Sequence, residues 1–394
     1  MDLQERKAGA QCGRSIAQQL IDAMQENKEW IFTPGQFPMN IWEEMGNQGL
    51  LGITMPDSIG GLGGNLIDII ETGEELTRRG MPVGVALSWA IHHCVTDRLL
   101  LAHGTDEHIR EWLPELAKGK ATISFAYGEK GAGVHAKNFA TRAERVSGGY
   151  RLTGRKDFLT NGPIASGFVV FARTDQGDEK LQLTAFLVPQ NTKGLKMGER
   201  LDVRNIAPSP HCTVFFDNCF IPDENRLGDE GEAFERMIRS WREWEEIYMM
   251  GFLSGALERQ LNLLIQSLKR KNVAKTSLIQ KETHKKMGQL WSLLNGMKTV
   301  SRVTAHSFGK ATSDCAVESL DIASLVSAYS DWCDAFQAQA DEMETYTRAP
   351  QMPEGKYLKA GIADLTGIGR RLKEIRQGKK GEWLIKNLDD VDDV

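Results

Sequence analysis

The hydrophobic pattern of this 394-residue chain changes its period twice, and that change limits the folds open to it. Residues 1 to about 120 repeat apolar side chains at helical spacing. Residues 121 to 225 are short runs rich in Val, Phe, Thr and Tyr, separated by Gly, Asn, Asp and Pro, as antiparallel strands require. After residue 231 the helical spacing returns. The sequence therefore predicts an α+β protein with an N-terminal α-helical domain (1–120), a central antiparallel β domain of barrel or sandwich type (121–227) and a C-terminal α-helical bundle (228–394).

The individual elements follow from the same patterns. The expected strands are Ile123 to Tyr127, Tyr150 to Thr153, Gly167 to Arg173, Leu181 to Pro189 and Cys212 to Phe220. The expected helices are Ile67 to Arg79, Ser88 to His103, Asp106 to Leu116, Ala233 to Lys271, His284 to Phe308, Ser319 to Glu342 and Lys356 to Arg376. Because there is neither βαβ alternation nor a G-x-G-x-x-G sequence, a Rossmann fold is not expected.

Bulk properties exclude several classes of protein. A net charge of -5 does not favour binding to nucleic acid or to an anionic membrane. No run of about 18 apolar residues predicts a membrane span, and the first residues lack the apolar segment of a signal peptide. The six cysteines form no CxxC pair, which favours reduced thiols in a cytoplasmic protein.

Four segments carry a specific pattern. Residues 155–174 read RKDFLTNGPIASGFVVFART, and residues 55–65 form the Gly-rich loop MPDSIGGLGGN. Residues 194–204 read GLKMGERLDVR, and residues 214–234 read VFFDNCFIPDENRLGDEGEAF. Taken in their order along the chain, these segments resemble motifs of the acyl-CoA dehydrogenase family. The flavin-facing strand of that family reads roughly Lys-x-(Trp/Phe)-Ile-Thr-Asn-(Gly/Ala). The family's helical, β and helical layout is also that of this chain.

The resemblance implies FAD as the cofactor and assigns residues to it. Phe158 would lie along one face of the flavin, and Thr160, with the backbone at Leu159, would hydrogen-bond near its N5 atom. The loop AYGEKGAGVHAKNFATRA (126–143) is similar to the family's Leu-Thr-Glu-Pro-x-Ala-Gly-Ser-Asp segment. Its implied cofactor contacts come from Tyr127, Gly128, Gly133 and Val134. From the residues alone, a plain hairpin turn for the loop and an ordinary core aromatic for Phe158 are the alternatives.

α,β-Dehydrogenation needs a carboxylate base in a dry pocket, since burial raises the pKa of such a group toward the working range. The resemblance places that base at Glu245, on a helix that is also similar to the one in prolyl-carrier-protein dehydrogenases. The alternative is a solvated helix face, because residues 242–246 are mostly charged. Glu246 stands where many members carry Arg and, with Val134 and His135, is assigned to substrate binding.

Two family motifs are altered. Lys271 stands where an Arg usually reaches the FAD pyrophosphate across a subunit interface, and lysine lacks the fork of arginine. The late Gln-x-x-Gly-Gly-x-Gly segment has no counterpart. These departures imply FAD held weakly, in a changed pose, or with the help of a partner subunit.

The expected function is therefore the FAD-dependent dehydrogenation of an acyl thioester. Coenzyme A is the expected carrier, with an acyl or aminoacyl carrier protein as the alternative. Two more functions stay open: a non-catalytic or half-site subunit of a heteromeric complex, and a flavin-dependent decarboxylase or oxygenase. The resemblance implies a homotetramer or homodimer, or a heteromer, and electron-transfer flavoprotein or oxygen as the electron acceptor. No metal site is expected, and His92 and His93 are expected to be packed or hydrogen-bonded.

Overall fold

The computed structural model describes residues 3–26, 36–175, 181–201, 203, 206–271, 277–311, 322–347 and 353–367, together with residues 374 and 377. The chain forms two compact units, residues 1–252 and residues 253–394. The helices of the first unit before the sheet are α1 (Leu3–Glu26), α2 (Met39–Asn47), α3 (Leu66–Arg78), α4 (Val83–Val95), α5 (Leu101–His103) and α6 (Asp106–Ala117).

Helix α4 is the centre of this helical layer. All thirteen of its residues are buried, which is the pattern of a helix that packs on every side. It begins at Val83, earlier than the expected Ser88, and a π-helical turn (Thr96–Leu100) carries it into α5. The paired histidines of α4 are packed as expected: each Nε2 lies 3.0 Å from a backbone carbonyl, of Leu51 for His92 and of Leu50 for His93.

Helix α3 starts at a capping box in the Gly-rich loop. The Asn65 side chain accepts a hydrogen bond from the backbone N–H of Ile67 at 2.8 Å, and Asp68 accepts one from the N–H of Asn65 at 2.7 Å. Gly60 and Gly63 have φ of +88° and +61°, which glycine adopts without the steric cost of a Cβ atom. The turn therefore favours glycine at these two positions.

The central domain is an eight-stranded sheet in the order β6-β7-β3-β2-β4-β5-β8, with β1 parallel to β4 at its side. Its strands are β1 (Ile123–Ala126), β2 (Arg142–Val146), β3 (Gly149–Thr160), β4 (Gly167–Arg173), β5 (Leu183–Pro189), β6 (Leu195–Leu201), β7 (His211–Pro222) and β8 (Arg226–Leu227). The sheet is mainly antiparallel, as expected; among the described strands the parallel pairs are β1 with β4 and a single residue pair of β2 with β4. Strands β2, β6 and β8 were not expected, and β3 runs on through the motif to Thr160 because it pairs with β7 along that length.

The expected helix from Ala233 to Lys271 is interrupted. A π-helical turn (Phe234–Ile238) comes first, and the α-helix proper, α7, is Trp241–Lys271. Its first part belongs to the first unit, where the Thr77 hydroxyl donates to the carbonyl of Phe252 at 2.6 Å. Gly251 lies against the backbone of Ile70 so closely that a Cβ atom would overlap it, so α7 and α3 pack closely at this point.

The second unit contains the rest of α7 with α8 (Ser277–Ala311), α9 (Ile322–Thr347) and α10 (Pro353–Gly367). Polar contacts join these helices. The Ser254 and Tyr329 hydroxyls lie 2.8 Å apart, and the amides of Gln260 and Gln337 exchange hydrogen bonds of 3.0 and 2.9 Å. None of the helices in the described part of the chain has the length and apolar character needed to cross a membrane.

Candidate active site

A β-bulge displays Phe158 at the end of β3. Lys156 pairs with Val214 and Leu159 with Cys212, so Asp157 and Phe158 together face Thr213 alone. Phe158 has a φ of 60°, in the left-handed region that a bulky side chain rarely occupies, and it is 68% exposed. Such strain costs about 1–3 kcal/mol and gathers at functional sites. The bulge therefore turns an aromatic ring out of the sheet, so the core-aromatic alternative for Phe158 does not hold.

Asp157 holds the bulge in place. Its carboxylate accepts hydrogen bonds from the Thr213 hydroxyl at 2.9 Å, from the backbone N–H of Lys130 at 2.8 Å and from the Arg155 guanidinium at 2.5 and 2.8 Å. Burial acts to raise the pKa of Asp157, but these bonds outweigh it and hold the pKa below its ordinary value. The backbone N–H of Asp157 also donates to the carbonyl of Gly128 at 2.9 Å. The strand end and the loop before it are thus one rigid piece.

The loop after β1 is itself a short hairpin. The backbone groups of Glu129 and Gly133 exchange hydrogen bonds of 3.0 and 2.7 Å, and the Tyr127 hydroxyl donates to the carbonyl of Val134 at 3.1 Å. Val134 is 57% exposed, and His135 next to it is exposed as well. The implied cofactor residues of the loop therefore lie beside those of the strand, as the resemblance requires.

A buried ion pair lies under this loop. The Lys156 ammonium group, fully excluded from solvent, donates to the Glu129 carboxylate and to the carbonyl of Tyr127, both at 2.8 Å. It also lies 3.8 Å from the centre of the Phe139 ring, within cation–π range. Burial lowers the pKa of Lys156 to about 8, although Glu129 acts to raise it. Glu129 further accepts from the backbone N–H groups of Ala140 and Thr141, at 2.7 and 3.2 Å.

Thr160 and Asn161 connect the strand end to its surroundings. Thr160 Oγ1 lies 3.0 Å from His211 Nε2 on β7. The Asn161 side chain donates from Nδ2 to the carbonyl of Ser88 on α4 at 2.9 Å. Leu159, between Phe158 and Thr160, is buried in the core of the sheet. At the end of β3, Phe158 thus points to the open surface, Leu159 to the core and Thr160 to the buried His211.

Glu245, the candidate base, lies in an ion-pair triplet on α7. Arg242 donates to Glu245 at 2.6 Å and to Glu246 at 2.8 Å, at the i,i+3 and i,i+4 spacings of a helix. The three side chains are only 17%, 23% and 18% exposed, in the order Arg242, Glu245, Glu246. The two carboxylates raise the pKa of Arg242 against the effect of burial. The solvated-face alternative therefore does not hold, because these side chains are mostly withdrawn from water and the two carboxylates share one guanidinium as counter-ion.

Glu245 lies near the end of α4, and polar side chains of the π-helical turn that follows α4 contact α7. The Tyr248 hydroxyl donates to Asp97 at 2.6 Å, and the Arg98 guanidinium stands 3.2 Å from the centre of the Trp244 ring. Burial raises the pKa of the Cys94 thiol, and the negative charge of Glu245 raises it further. Burial also raises the pKa of Asp97, which the bond from Tyr248 only partly offsets.

Helix α4 therefore connects the two halves of the candidate site. The strand end meets α4 at Ser88 through the Asn161 side chain, and the charge of Glu245 raises the pKa of Cys94 on the same helix. Six residues of α-helix span about 9 Å along the axis. Asn161, three residues after Phe158, and the carboxylate of Glu245 thus both lie near the same buried helix.

A cavity of about 590 Å³ opens beside the loop. Its walls come from residues 134–138, from Leu181 and from the segment around Phe234. Val134 and His135, two of the three predicted substrate residues, line it, whereas Glu246 is held by Arg242 instead. The described part of the chain contains no group of His, Cys, Asp and Glu that could hold a metal ion. Lys271 is the last residue of α7, and its side chain lies outside the described part of the structure.

Sequence reasoning missed several residues of this site. Arg242 could have been found from its i,i+3 and i,i+4 spacing to the two glutamates. His211, Asp97 and Arg98 gave no local signal, because their partners are far away in the chain: the Thr160 hydroxyl, the Tyr248 hydroxyl and the Trp244 ring. The residues of the Phe158 strand end also fit a flavin. An exposed aromatic ring, flanked by the Thr160 hydroxyl and the loop backbone, is what a planar cofactor needs on one side.

Comparison with known proteins agrees with this picture. The models of the acyl-CoA dehydrogenase N-terminal domain and middle domain match residues 9–120 and 124–219. The chain is 28% identical to the mitochondrial isovaleryl-CoA dehydrogenase of Solanum tuberosum over 94% of its own length and 89% of that protein. It is 32% identical to the L-prolyl-[peptidyl-carrier protein] dehydrogenase of Pseudomonas fluorescens over 66% of its own length and 67% of that protein. Three further plant relatives are matched over only 51 to 57% of their length.

Solved structures with a similar fold include acyl-CoA dehydrogenases. The structure of butyryl-CoA dehydrogenase from Megasphaera elsdenii superposes with a TM-score of 0.80 at 21% identity, covering 96% of this chain and 99% of that one. The helical, β and helical order and the two matched domains define an acyl-CoA dehydrogenase-like flavoenzyme. The chain belongs to the acyl-CoA dehydrogenase family.

Proposed function

We propose that this protein catalyses the FAD-dependent α,β-dehydrogenation of an acyl thioester, with Glu245 as the base that removes the α-proton. One observation carries the proposal: a strained bulge displays Phe158, and helix α4, which binds the strand end through Asn161, also lies near Glu245, whose side chain is only 23% exposed. FAD supplies the acceptor for the hydride that leaves the β-carbon. We also propose that the chain is divided into three domains, with boundaries at residues 120 and 227.

The residues of the chain divide the remaining tasks. Phe158 packs on the flavin, while Thr160, the backbone of Leu159, and Tyr127, Gly128, Gly133 and Val134 of the loop orient its edge. Lys271 is proposed to serve the pyrophosphate. Glu245 accepts and holds the abstracted proton, and Arg242, which donates to its carboxylate at 2.6 Å, orients it.

The cavity beside the loop suits the carrier arm of the substrate. Its volume lies within the usual range of small-molecule sites, and His135 and Lys137 offer polar groups at its wall. We assign the long, flexible thioester arm of coenzyme A to it, with Val134 and His135 in contact. Glu246 is proposed to act on the substrate pocket indirectly, through its ion pair with Arg242.

A carrier-protein thioester is the second candidate substrate, and a specific observation favours it. The relative named for a peptidyl-carrier protein is 32% identical over 266 residues, a stretch long enough to include both matched domains. Both candidates share the thioester chemistry and differ only in what holds the arm. Electron-transfer flavoprotein or oxygen is the proposed electron acceptor, and a homo-oligomer the proposed assembly.

The test is the colour of the protein. Purified protein reconstituted with FAD should show oxidised-flavin absorption that bleaches anaerobically when an acyl thioester is added. A panel of acyl-CoA esters and of the same acyl groups on a carrier protein separates the two substrates. Protein that takes up no FAD, or holds a flavin that no thioester reduces, would refute the proposal and favour the non-catalytic subunit instead.

A further inference from the structure

His211 is a buried histidine that the proposed chemistry does not use. It lies at the start of β7 and is only 6% exposed. Its two ring nitrogens each have a partner: Nδ1 lies 3.1 Å from the carbonyl oxygen of Ser209, and Nε2 lies 3.0 Å from the hydroxyl of Thr160. The same Thr160 is the residue assigned to the flavin edge.

The partners fix the position of the proton on the ring. A carbonyl oxygen can only accept, so Nδ1 must carry the hydrogen and donate to Ser209. In the neutral imidazole Nε2 is then an acceptor, and the hydroxyl of Thr160 must donate to it. Burial lowers the pKa of His211, and the Arg200 guanidinium lowers it further, while the bond to Ser209 acts in the opposite sense. The neutral ring is therefore the form expected at neutral pH.

A buried network holds this arrangement. The hydroxyls of Ser209 and Ser88 lie 3.2 Å apart, and the carbonyl of Ser88 accepts from the Asn161 side chain at 2.9 Å. The backbone N–H of Asn161 donates to the carbonyl of Pro210 at 2.8 Å. The network thus holds the backbone on both sides of the contact between Thr160 and His211.

We propose that His211 is a positioning residue that commits the proton of the Thr160 hydroxyl, so that Thr160 can only accept a hydrogen bond from the flavin. This inference rests on the proposed function, since it requires the flavin edge at Thr160. Oxidised flavin offers an acceptor at N5, whereas two-electron-reduced flavin offers an N–H donor there. A threonine that can only accept therefore stabilises the reduced form and raises the reduction potential of the bound cofactor.

The first arm of the test needs no cofactor. In FAD-free protein labelled with ¹⁵N at its histidines, the ring signals that disappear in His211→Phe belong to His211. They should show a protonated Nδ1 and an unprotonated Nε2. A ring protonated at Nε2 instead would overturn the proposal, because Thr160 would then receive a hydrogen bond and keep its own proton free.

The second arm is the reduction potential of bound FAD, measured by equilibration with a reference dye. His211→Phe keeps a planar ring but removes the acceptor, so Thr160 can donate to oxidised flavin. One net hydrogen bond is worth about a tenfold change in the equilibrium, which is about 30 mV downward for a two-electron couple. His211→Gln, whose amide oxygen can take the place of Nε2, should remain near the wild-type potential.

The matched control is the same substitution without the hydroxyl. In a Thr160→Val background His211→Phe should leave the potential unchanged, because the effect acts only through that hydroxyl. An equal shift with and without the hydroxyl, or no shift in His211→Phe alone, would overturn the inference. Wild-type protein that binds no FAD overturns the proposed function together with this redox role, and the ring tautomer then still decides whether the Thr160–His211 bond has the stated direction.

Discussion

Thr213 and Asp157 face each other across the bulge between β3 and β7, and the Thr213 hydroxyl donates to Asp157 Oδ1 at 2.9 Å. Thr213 of β7 thereby donates one of the hydrogen bonds that the carboxylate of Asp157, a bulge residue of β3, accepts. The bulge forces Phe158 to a φ of 60° and turns its ring outward. A bulge of this kind re-aims a side chain at the edge of a site, and here the re-aimed side chain is the proposed flavin platform.

Phe158→Asn should stabilise the cofactor-free protein and weaken FAD binding. Asparagine tolerates the left-handed conformation, so about 1 kcal/mol of strain is relieved, while the exposed ring contributes little burial to lose. Loss of the aromatic contact should weaken FAD binding by about tenfold. Denaturant unfolding and FAD titration measure the two effects. Phe220→Asn, on the partly exposed Phe220 of β7, is the control and should change neither in this way. If Phe158→Asn made the protein less stable, the left-handed backbone at Phe158 would not be strained.

The sequence predicts the fold well where local patterns decide it. Period and breakers located α3, α6 and the strand Gly167–Arg173 closely, whereas α4 begins at Val83 and not at the expected Ser88. They did not locate β6 or β8, because β6 is a half-exposed strand with polar side chains and β8 has two residues. The register of β3 was also out of reach, since it depends on pairing with β7, about 60 residues later.

The site divides in the same way. The resemblance selected Phe158, Thr160 and Glu245; the structure exposes the ring of Phe158, turns Thr160 toward His211 and withdraws most of Glu245 from water, while their roles remain predictions. It could not select His211 or Arg98, whose partners are set by tertiary packing. The charged run at Arg242 to Glu246 shows the limit of composition, because four charges in five residues usually mean a solvated face, whereas here the helix carries its own counter-ion.

Lys156→Met should destabilise the protein strongly. The ammonium group is fully buried and satisfies the carboxylate of Glu129, which would be left as a buried, uncompensated charge. Removing one partner of a buried pair costs about 3–5 kcal/mol, although the backbone N–H groups that Glu129 also binds act to reduce the loss. Denaturant unfolding gives the value. Lys130→Met, in the same loop but exposed, is the control and should cost well under 1 kcal/mol. Equal losses would mean that burial of the pair is irrelevant.

The contribution of Lys156 to the free energy of unfolding should depend on pH within a defined range. Its pKa is about 8 in the folded protein and near 10.5 when unfolded. Between these values the folded state has lost the proton and the unfolded state still holds it, so the unfolded state binds more protons. The stability of the wild type relative to Lys156→Met should therefore rise with pH across this window, by up to about 1.4 kcal/mol per unit, and stay level below it. Unfolding of both proteins from pH 7 to 10.5 measures the difference. A difference that falls with pH would show that the folded pKa is not depressed.

Arg242→Met should destabilise the start of α7, because two partly buried carboxylates lose their counter-ion and repel each other. The expected loss is about 1–3 kcal/mol in unfolding free energy. Arg110→Met breaks the exposed pair with Glu107, whose side chains are 70% and 79% exposed, and serves as the control with a loss near zero. If both variants lose the same amount, the triplet is only a surface ion pair.

Glu245→Gln should retain FAD and the fold yet lose flavin reduction by an acyl thioester. The amide can still accept a hydrogen bond from Arg242, so the helix keeps its contacts, but it cannot take the α-proton. A positioned general base contributes about 10²–10⁴-fold, and the rate of bleaching in an anaerobic rapid-mixing experiment should fall by that factor. Glu246→Gln is the matched control, since it sits one residue along and pairs with the same Arg242. It should keep most of the rate. Bleaching at the wild-type rate in Glu245→Gln, or an equal loss in both variants, would remove Glu245 from its proposed role and leave the carboxylates as a structural pair.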